Sequence, residues 1–227
     1  MNKFDYYKAY DKRYAQVYEK DMLWSSLEYT PDVIDFIESN NVDLDDKILD
    51  LGCGEGRDSI YLLDKGYNLL AVDYSTYVIN KCNDLSKNKY IDNFRQFDIL
   101  EDTLEDKFNY IYSIAVLHMF VLDKDRNKYL EFIYNHLTDN GKCLITVLGD
   151  GEKEYTSDIN DAFVNTKRKV LNSNKDIEVV TTSCRIVNWN NLEKEIKNNG
   201  LIIEKKWIST SIPEFSESMC VIVRKGV

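Results

Sequence analysis

The chain has 227 residues, of which 44% are hydrophobic and 30% are charged, a balance that fits one folded domain. Its formal net charge of −10 argues against nucleic acid as a partner, because clustered basic residues bind a phosphate backbone. The longest apolar run, residues 114–122, is too short to span a bilayer, so we expect no membrane partner.

The cysteines and histidines argue against a metal or disulfide protein. The five cysteines lie far apart and form no CxxC pair, and the chain has only two histidines. This spacing fits neither a zinc site nor a disulfide framework. Together with an N-terminus too charged for a signal peptide, it predicts reduced thiols in a cytoplasmic protein, with no metal site.

The first two predicted elements are helices. Residues 4–24 carry aromatic side chains at spacings of three and four, which predicts a helix with an aromatic face. Residues 30–40 predict a short helix that begins at Thr30, with Pro31 in its first turn. From residue 47 onward strands alternate with helices, which predicts a parallel sheet covered on both faces. The predicted strands are 47–51, 67–73, 91–99, 108–116 and 142–148, and the predicted helices are 56–66, 75–88 and 125–141, the last closed by Gly141.

The pattern changes beyond residue 148. Residues 149–185 form a polar insert, which we expect to cover a substrate because inserts of this size in compact domains are usually functional. The remaining predicted elements are a helix near 161–171, a strand-like segment at 177–187, a helix at 188–200 and two edge strands at 201–210 and 218–225. The predicted fold class is α/β: a Rossmann-like, seven-stranded, mostly parallel sheet with helices on both faces and one antiparallel edge strand, in a single domain spanning 1–227.

A glycine loop, GCGEG at 52–56, separates the first predicted strand from the following helix. Asp73 ends the second strand 21 residues after Gly52, where an acid binds the ribose hydroxyls of a nucleoside cofactor. The spacing alone leaves NAD and S-adenosylmethionine both open. The NAD pattern GxGxxG would need glycine where Arg57 stands, and Asp50 before the loop would repel a pyrophosphate but attract an ammonium or sulfonium. These two residues favour S-adenosylmethionine, which carries cations and no phosphate.

Several motifs resemble those of one enzyme family. ILDLGCGEGRDSIYL resembles the first motif of class I S-adenosylmethionine-dependent methyltransferases, and AVDYS resembles their ribose-binding acid motif. RQFDI is similar to their adenine-edge motif, and FNYIYSIAVLHMF to the motif of their fourth strand. The first motif, together with YDKRYAQ near the N-terminus, leans toward the tellurite- and thiopurine-type methyltransferases of small molecules. The resemblance therefore implies transfer of a methyl group to a small-molecule acceptor, with S-adenosylhomocysteine as product.

The resemblance also implies a set of cofactor contacts. Asp50 would hold the methionine end with the loop backbone of Gly52, Gly54 and Gly56, while Arg57 would pair with the methionine carboxylate or lie in solvent. Asp73 would accept from the ribose hydroxyls and Tyr74 would pack on the adenine. The remaining implied contacts are Asp98 and the Ile99 backbone at the adenine edge, and Ser113 and Ala115 beside the amino acid and sulfur.

Methyl transfer needs orientation more than a strong base, so the sequence need not contain one. His118 is the candidate catalytic base, because it follows the fourth strand on the ligand side and titrates near neutrality. Residues 1–40 are expected to form a lid, with Tyr14 and Trp24 as candidate contacts to cofactor or substrate.

Two alternatives stay open: a protein that binds S-adenosylmethionine without catalysis, and an NAD-dependent oxidoreductase. The sequence specifies neither the acceptor atom nor the oligomeric state.

Overall fold

A computed structural model describes residues 5–169, 176–212 and 215–226. The eleven strands of these ranges are β1 (Ile48–Leu51), β2 (Leu69–Asp73), β3 (Phe94–Gln96), β4 (Phe108–Ile114), β5 (Leu137–Leu148), β6 (Tyr155–Thr156), β7 (Asn165–Lys169), β8 (Asp176–Val180), β9 (Arg185–Ile186), β10 (Leu201–Ser209) and β11 (Ser218–Lys225). The six α-helices are α1 (Ala9–Tyr18), α2 (Pro31–Ser39), α3 (Arg57–Asp64), α4 (Thr76–Leu85), α5 (Asp123–His136) and α6 (Trp189–Asn198).

Seven strands form the main sheet in the order β10-β11-β5-β4-β1-β2-β3. Strands β3, β2, β1, β4 and β5 are parallel, and β11 pairs antiparallel with both β5 and β10. The predicted mostly parallel seven-stranded sheet is confirmed, and its antiparallel strand is β11, one position in from the edge. The strand order reverses between β1 and β4, so a crevice opens at the carboxyl ends of these two strands, where open α/β sheets bind ligands.

Apolar side chains cover both faces of the sheet, as the short buried strands predict. One face packs against α5 and α6, through buried side chains that include Tyr129, Leu130, Ile133, Leu192 and Ile196. The other face packs against α2, α3 and α4, through buried side chains that include Phe36, Ile37, Leu62, Val78 and Cys82. The strands that lead to the candidate site are therefore packed between helices on both faces.

The insert contains strands where we predicted a helix. Residues 165–169 form β7, which pairs antiparallel with β8, and the short β6 pairs with β9. Pairing with β8 outweighs the weak helical pattern of 161–171, because propensity yields to tertiary contacts. Part of that predicted helix, residues 170 and 171, lies outside the described residues, as do residues 1–4 of the predicted lid and 170–175 of the insert.

Helix α5 ends at His136 rather than at Gly141, because β5 begins directly at Leu137. The His136 ring lies within hydrogen-bonding distance of two backbone carbonyls, with Nδ1 2.8 Å from Phe132 O and Nε2 3.1 Å from Leu104 O. These contacts close the last turn. No helix in the described ranges is long and apolar enough to cross a membrane.

Candidate active site

A cavity of about 480 Å³ opens at the carboxyl ends of β1, β2 and β4. Most of the residues predicted to bind the cofactor or substrate line it, namely Tyr14, Trp24, Asp50, Gly52, Gly54, Arg57, Asp73, Tyr74, Asp98, Ile99, Ala115 and His118. Gly56 and Ser113 do not. The Ser113 hydroxyl is fully buried and donates to the Leu51 carbonyl at 2.6 Å, so it joins two strands.

The loop between β1 and α3 requires glycine at two positions. Gly52 has φ +86°, and a Cβ there would lie 2.4 Å from Val116 Cγ2. Gly56 has φ +75° and immediately precedes α3, with the Cys82 thiol 2.9 Å from where its Cβ would be. Both conformations are strained for any other residue. The loop therefore turns tightly and brings its backbone to the edge of the cavity.

Asp73 lies at the end of β2 with its carboxylate beside the loop. It accepts from Gly54 N at 3.0 Å and from Ser75 N at 2.9 Å. Burial raises its pKa to about 6 against these two bonds, which lower the pKa. Each carboxylate oxygen retains acceptor capacity for a ribose hydroxyl.

Asp11, on α1, lines the same cavity, and sequence analysis did not single it out. Its Oδ1 is buried without a hydrogen-bond partner among the described residues. Its negative charge helps to raise the pKa of Asp73, so the two carboxylates are close enough to interact. A buried acceptor without a partner is costly, and a ligand hydroxyl at this point would satisfy it. This orphaned oxygen fits the ribose of a nucleoside cofactor.

Asp50 is buried beneath the loop at the end of β1, with an exposed fraction of 3%. Its carboxylate accepts from the Ser59 hydroxyl at 2.5 Å. Burial is the main reason that its pKa is raised to about 8, and the nearby Asp58 adds to the effect. A buried carboxylate without a cationic partner favours a cation in the cavity, where a phosphate would be repelled.

Asp98 and two tyrosines form the adjacent part of the wall. The Tyr7 hydroxyl donates to Asp98 Oδ2 at 2.9 Å, and the Tyr7 ring contacts Tyr74 edge to face at 5.8 Å between centroids. Leu100 N donates to Asp98 Oδ1. Tyr7 was not predicted as a site residue, because nothing in the sequence relates it to a position 91 residues away.

His118 is buried and lines the cavity with its Nδ1 unpartnered among the described residues. Burial lowers its pKa to about 4, and the nearby Arg126 charge lowers it further. The imidazole is therefore neutral at pH 7 and able to accept a proton. Its ring packs edge to face on Phe215 at 5.7 Å. The adjacent Ala115 has φ +59°, an unusual conformation for a non-glycine residue that is often found at functional sites.

Glu55, inside the glycine loop, holds the segment after α1 against the cavity. Its buried carboxylate accepts from Trp24 N at 2.8 Å, Ser25 N at 2.8 Å and the Ser25 hydroxyl at 2.6 Å. In the same way, Asp58 accepts from the backbone and hydroxyl of Thr30. The loop sequence suggested ligand contacts for its backbone but gave no sign that Glu55 binds the N-terminal segment.

A parallel sheet with a glycine loop, a ribose-type acid and further buried acids at its carboxyl edge defines a Rossmann-like nucleoside-binding protein. A family model described as a methyltransferase domain matches residues 43–200. The chain belongs to this family, so the predicted methyltransferase is confirmed.

Two curated relatives have partial matches to the chain. The histidine protein methyltransferase 1 homolog of Dictyostelium discoideum is 32% identical over 155 residues, 62% of this chain and 48% of the relative. The match thus spans about half the length of that relative. The probable S-adenosyl-L-methionine-dependent methyltransferase TehB of Haemophilus influenzae is 32% identical over 81 residues, 35% of this chain and 28% of the relative. The TehB match agrees with the predicted lean toward tellurite-type methyltransferases.

A solved structure extends the likeness to the whole chain. The 1,6-didemethyltoxoflavin-N1-methyltransferase of Burkholderia thailandensis superposes with a TM-score of 0.73 at 15% identity, over 100% of this chain and 92% of that one. That protein was crystallised with 1,6-didemethyltoxoflavin and S-adenosylhomocysteine. The shared architecture confirms the predicted fold of class I S-adenosylmethionine-dependent methyltransferases.

Proposed function

We propose that the protein transfers the methyl group of S-adenosylmethionine to a small-molecule acceptor. The observation that carries this proposal is the convergence of Asp50, Asp73 and Asp98 on one cavity beside the glycine loop. A bound cation favours the ionised form of Asp50 and gains its attraction, whereas a pyrophosphate at Asp50 opposes that ionisation, which argues against the NAD-dependent alternative. When bound, S-adenosylmethionine supplies an electrophilic methyl carbon, which bonds to the acceptor's lone pair as its bond to sulfur breaks and that electron pair stays on sulfur.

In this proposal the loop and the acids orient the donor. Asp50 and the backbone of Gly52 and Gly54 hold the methionine end, and Asp73 accepts from the ribose hydroxyls. We assign Asp11 to the ribose as well, because its unpartnered oxygen faces the same cavity.

Further residues, whose positions follow the family motifs, complete the proposed cofactor site. Tyr74 packs on the adenine beside Asp98 and the Ile99 backbone, while Ala115 lies beside the sulfur. Arg57 lines the cavity with its side chain largely buried, which supports pairing with the methionine carboxylate over exposure to solvent. Ser113 and Gly56 act indirectly, through the shape of β4 and of the loop.

His118 is proposed as the base for acceptors that must lose a proton. Its unpartnered Nδ1 in the cavity supports this role, while burial, which lowers its pKa to about 4, makes the ring a weak base until a ligand changes its surroundings. For an acceptor that already has a free lone pair, no proton needs to move. The role of His118 would then be to shape the acceptor side of the cavity.

The N-terminal segment and the insert are proposed to cover the reactants within one methyltransferase domain. The contacts of Glu55 with Trp24 and Ser25 support a lid, because they hold the segment after α1 over the loop. Cys184 and Thr182 of the insert line the same cavity, which supports a covering role for residues 149–185. Exclusion of water strengthens every electrostatic contact inside the site. We place the protein in the cytoplasm, because its five cysteines are all free thiols.

Calorimetry tests the cofactor proposal. We expect S-adenosylhomocysteine to bind and NAD to give no heat of binding, and Asp73→Ala to weaken binding more than tenfold through loss of the ribose contacts. Asp92→Ala removes an exposed carboxylate and serves as the matched control. Binding of NAD without S-adenosylhomocysteine would contradict the proposal.

An assay of S-adenosylhomocysteine release then separates an enzyme from a non-catalytic binding protein. The assay supplies S-adenosylmethionine with panels of thiols, amines, phenols and oxyanions. We expect release with at least one acceptor class. Cofactor binding without release in any panel would favour the non-catalytic alternative.

A further inference from the structure

The cavity also contains a buried positive charge. Arg13 of α1 lines the cavity and is only 7% exposed. The only hydrogen-bond acceptor it reaches among the described residues is the Val180 carbonyl oxygen, at 3.2 Å from Nε and 3.1 Å from Nη2. Its guanidinium lies 4.8 Å from the Trp24 ring and 5.5 Å from the Tyr10 ring. The Arg13 guanidinium is thus surrounded by two aromatic faces and one carbonyl, and no carboxylate among the described residues pairs with its charge.

Two further cations, both on β7, line the same cavity. Arg168 and Lys169 of β7 line the cavity, and neither forms a salt bridge within the described ranges. The Arg168 charge acts on Arg13, whose pKa is lowered first by burial and then by this repulsion. Arg13 and Arg168 thus lie close enough to repel each other, although the net charge of the protein is −10. Burying a cation beside another is costly unless an anion neutralises them.

The carboxylates that line the cavity do not supply this anion. Glu55 and Asp58 are taken up by the backbone and hydroxyls of the N-terminal segment. Asp50, Asp73 and Asp98 belong to the proposed cofactor site, and no ion pair joins any of these five to Arg13. Asp11 forms no salt bridge with Arg13 among the described residues, and its charge acts on Asp73. Among the described residues no counterion remains for Arg13, which leaves a ligand to supply the anion.

We propose that the methyl acceptor is an anion, whose carboxylate or other oxyanionic group binds Arg13 and Arg168 between the rings of Tyr10 and Trp24. This inference rests on the proposed methyl transfer and specifies its acceptor class. An arginine fork presents paired N–H groups that match the two oxygens of a carboxylate. Tyr10 and Trp24 add apolar faces for the body of a planar anion. The acidic segment at 150–161, by contrast, contributes no residue to the cavity lining.

The test measures binding of three probes to the full chain loaded with S-adenosylhomocysteine: benzoate, benzamide and sulfate. Benzoate and benzamide have nearly the same shape but differ in charge, and sulfate represents inorganic oxyanions. We expect an anion to bind at least tenfold more tightly than benzamide. Benzoate preferred over sulfate identifies an organic carboxylate, and sulfate preferred over benzoate identifies an inorganic oxyanion.

Variants separate the anion site from general electrostatics. Arg13→Gln and Arg168→Gln should each weaken binding of the preferred anion at least fivefold while binding of S-adenosylhomocysteine stays unchanged. Arg168 lies on an exposed strand, so its variant tests the site even if Arg13→Gln does not fold. Arg13→Lys should retain only part of the affinity, because an ammonium keeps the charge but not the paired N–H groups of the guanidinium. Lys12→Gln is the matched control, because it removes an exposed charge from the same helix and should change nothing.

The inference would be overturned if benzamide bound as tightly as both anions, or if anion binding survived loss of both arginines. Absence of anion binding to a chain that does bind S-adenosylhomocysteine would also overturn it. Failure of S-adenosylhomocysteine itself to bind is a different outcome, because it contradicts the proposed methyl transfer. The same titrations on the unloaded chain then report on the anion site alone.

Discussion

Asp50 and Asp73 show that the candidate site costs folding free energy, because each is an acid buried away from water. Their pKa values, about 8 and about 6, lie well above the ordinary 3.8 because both carboxyls are desolvated. A protein selected only for stability would have no reason to bury an unpaired acid at the end of a central strand. A bound cation beside Asp50 and two ribose hydroxyls beside Asp73 would offset this cost.

Cofactor binding should therefore depend on pH through Asp50. With a pKa of about 8 the carboxyl is mostly protonated at pH 7, and a bound ammonium favours the ionised form. Binding must then release a proton, so affinity rises with pH. Between pH 6.5 and 7.5 we expect the association constant for S-adenosylhomocysteine to rise roughly five- to tenfold. Calorimetry in buffers of different ionisation enthalpy measures both the affinity and the released proton.

The Asp50→Asn variant provides the control for this pH dependence. It should bind weakly, with an affinity that is nearly constant over the same interval, because no carboxyl remains to titrate. In the ligand-free wild type, the raised pKa means that stability falls as pH increases from about 4 to about 8, where the unfolded chain ionises first. Asp50→Asn should remove the share of this decline that Asp50 contributes, so that the remaining decline, due to Asp73 with its pKa of about 6, ends near pH 6. A wild-type affinity independent of pH would contradict the role of Asp50.

At the scale of elements, helix α1 joins the insert to the main sheet. The Val180 backbone is bonded from both sides, since its N–H donates to the Gln16 side chain at 2.8 Å and its carbonyl accepts from Arg13. Val17 of α1 packs in one buried cluster with Ile177 and Val179 of β8. The proposed lid and the proposed covering insert are therefore in direct contact, and a displacement of one would disturb the other.

Glu55 should control how firmly the lid is held. Glu55→Gln keeps the shape of the side chain but replaces one acceptor oxygen with an amide that cannot accept from Trp24 N or Ser25 N. Hydrogen bonds to a charged group contribute about 1.5–3 kcal/mol each, so we expect these two amides to exchange at least tenfold faster. Hydrogen exchange followed by mass spectrometry measures this rate. Glu28→Gln, an exposed glutamate on the same segment, should leave it unchanged.

The local sequence pattern was sufficient to predict the main sheet and the site residues that lie at the ends of its strands. The alternation of buried strands and capped helices predicted β1 to β5, and strand ends placed Asp50, Asp73 and His118 at one edge. The local pattern did not predict the structure of the insert, because β7 is stabilised by pairing with β8 and by the packing of β8 on α1. Tyr7, Asp11 and Glu55 were missed for the same reason: the groups that they face are distant in sequence, and no local periodicity predicts such proximity.

For the molecule as a whole, Arg126 links α5, α6 and the segment that carries His118. Its side chain is 1% exposed, and its Nη1 donates to the carbonyls of Leu117 and Phe120 at 2.9 and 3.1 Å. Its Nε and Nη2 donate to both oxygens of Glu195, with the shortest contact at 2.6 Å. One buried guanidinium thus fixes the segment after β4, on the acceptor side of the cavity, relative to two helices.

Breaking this ion pair from one side should be strongly destabilising. Arg126→Met leaves Glu195 short of its partner and removes the Arg126 donor from the Phe120 carbonyl, while the Leu117 carbonyl keeps a bond from Phe120 N. We expect a loss of about 3–5 kcal/mol in the free energy of unfolding, measured by urea denaturation. The double variant Arg126→Met with Glu195→Met should lose less than the sum of the two single variants, because neither charge is then left alone. Lys194→Met changes an exposed neighbour of Glu195 on α6 and should stay within about 0.5 kcal/mol of wild type. Additive losses in the double variant would show that the two side chains do not act as a pair.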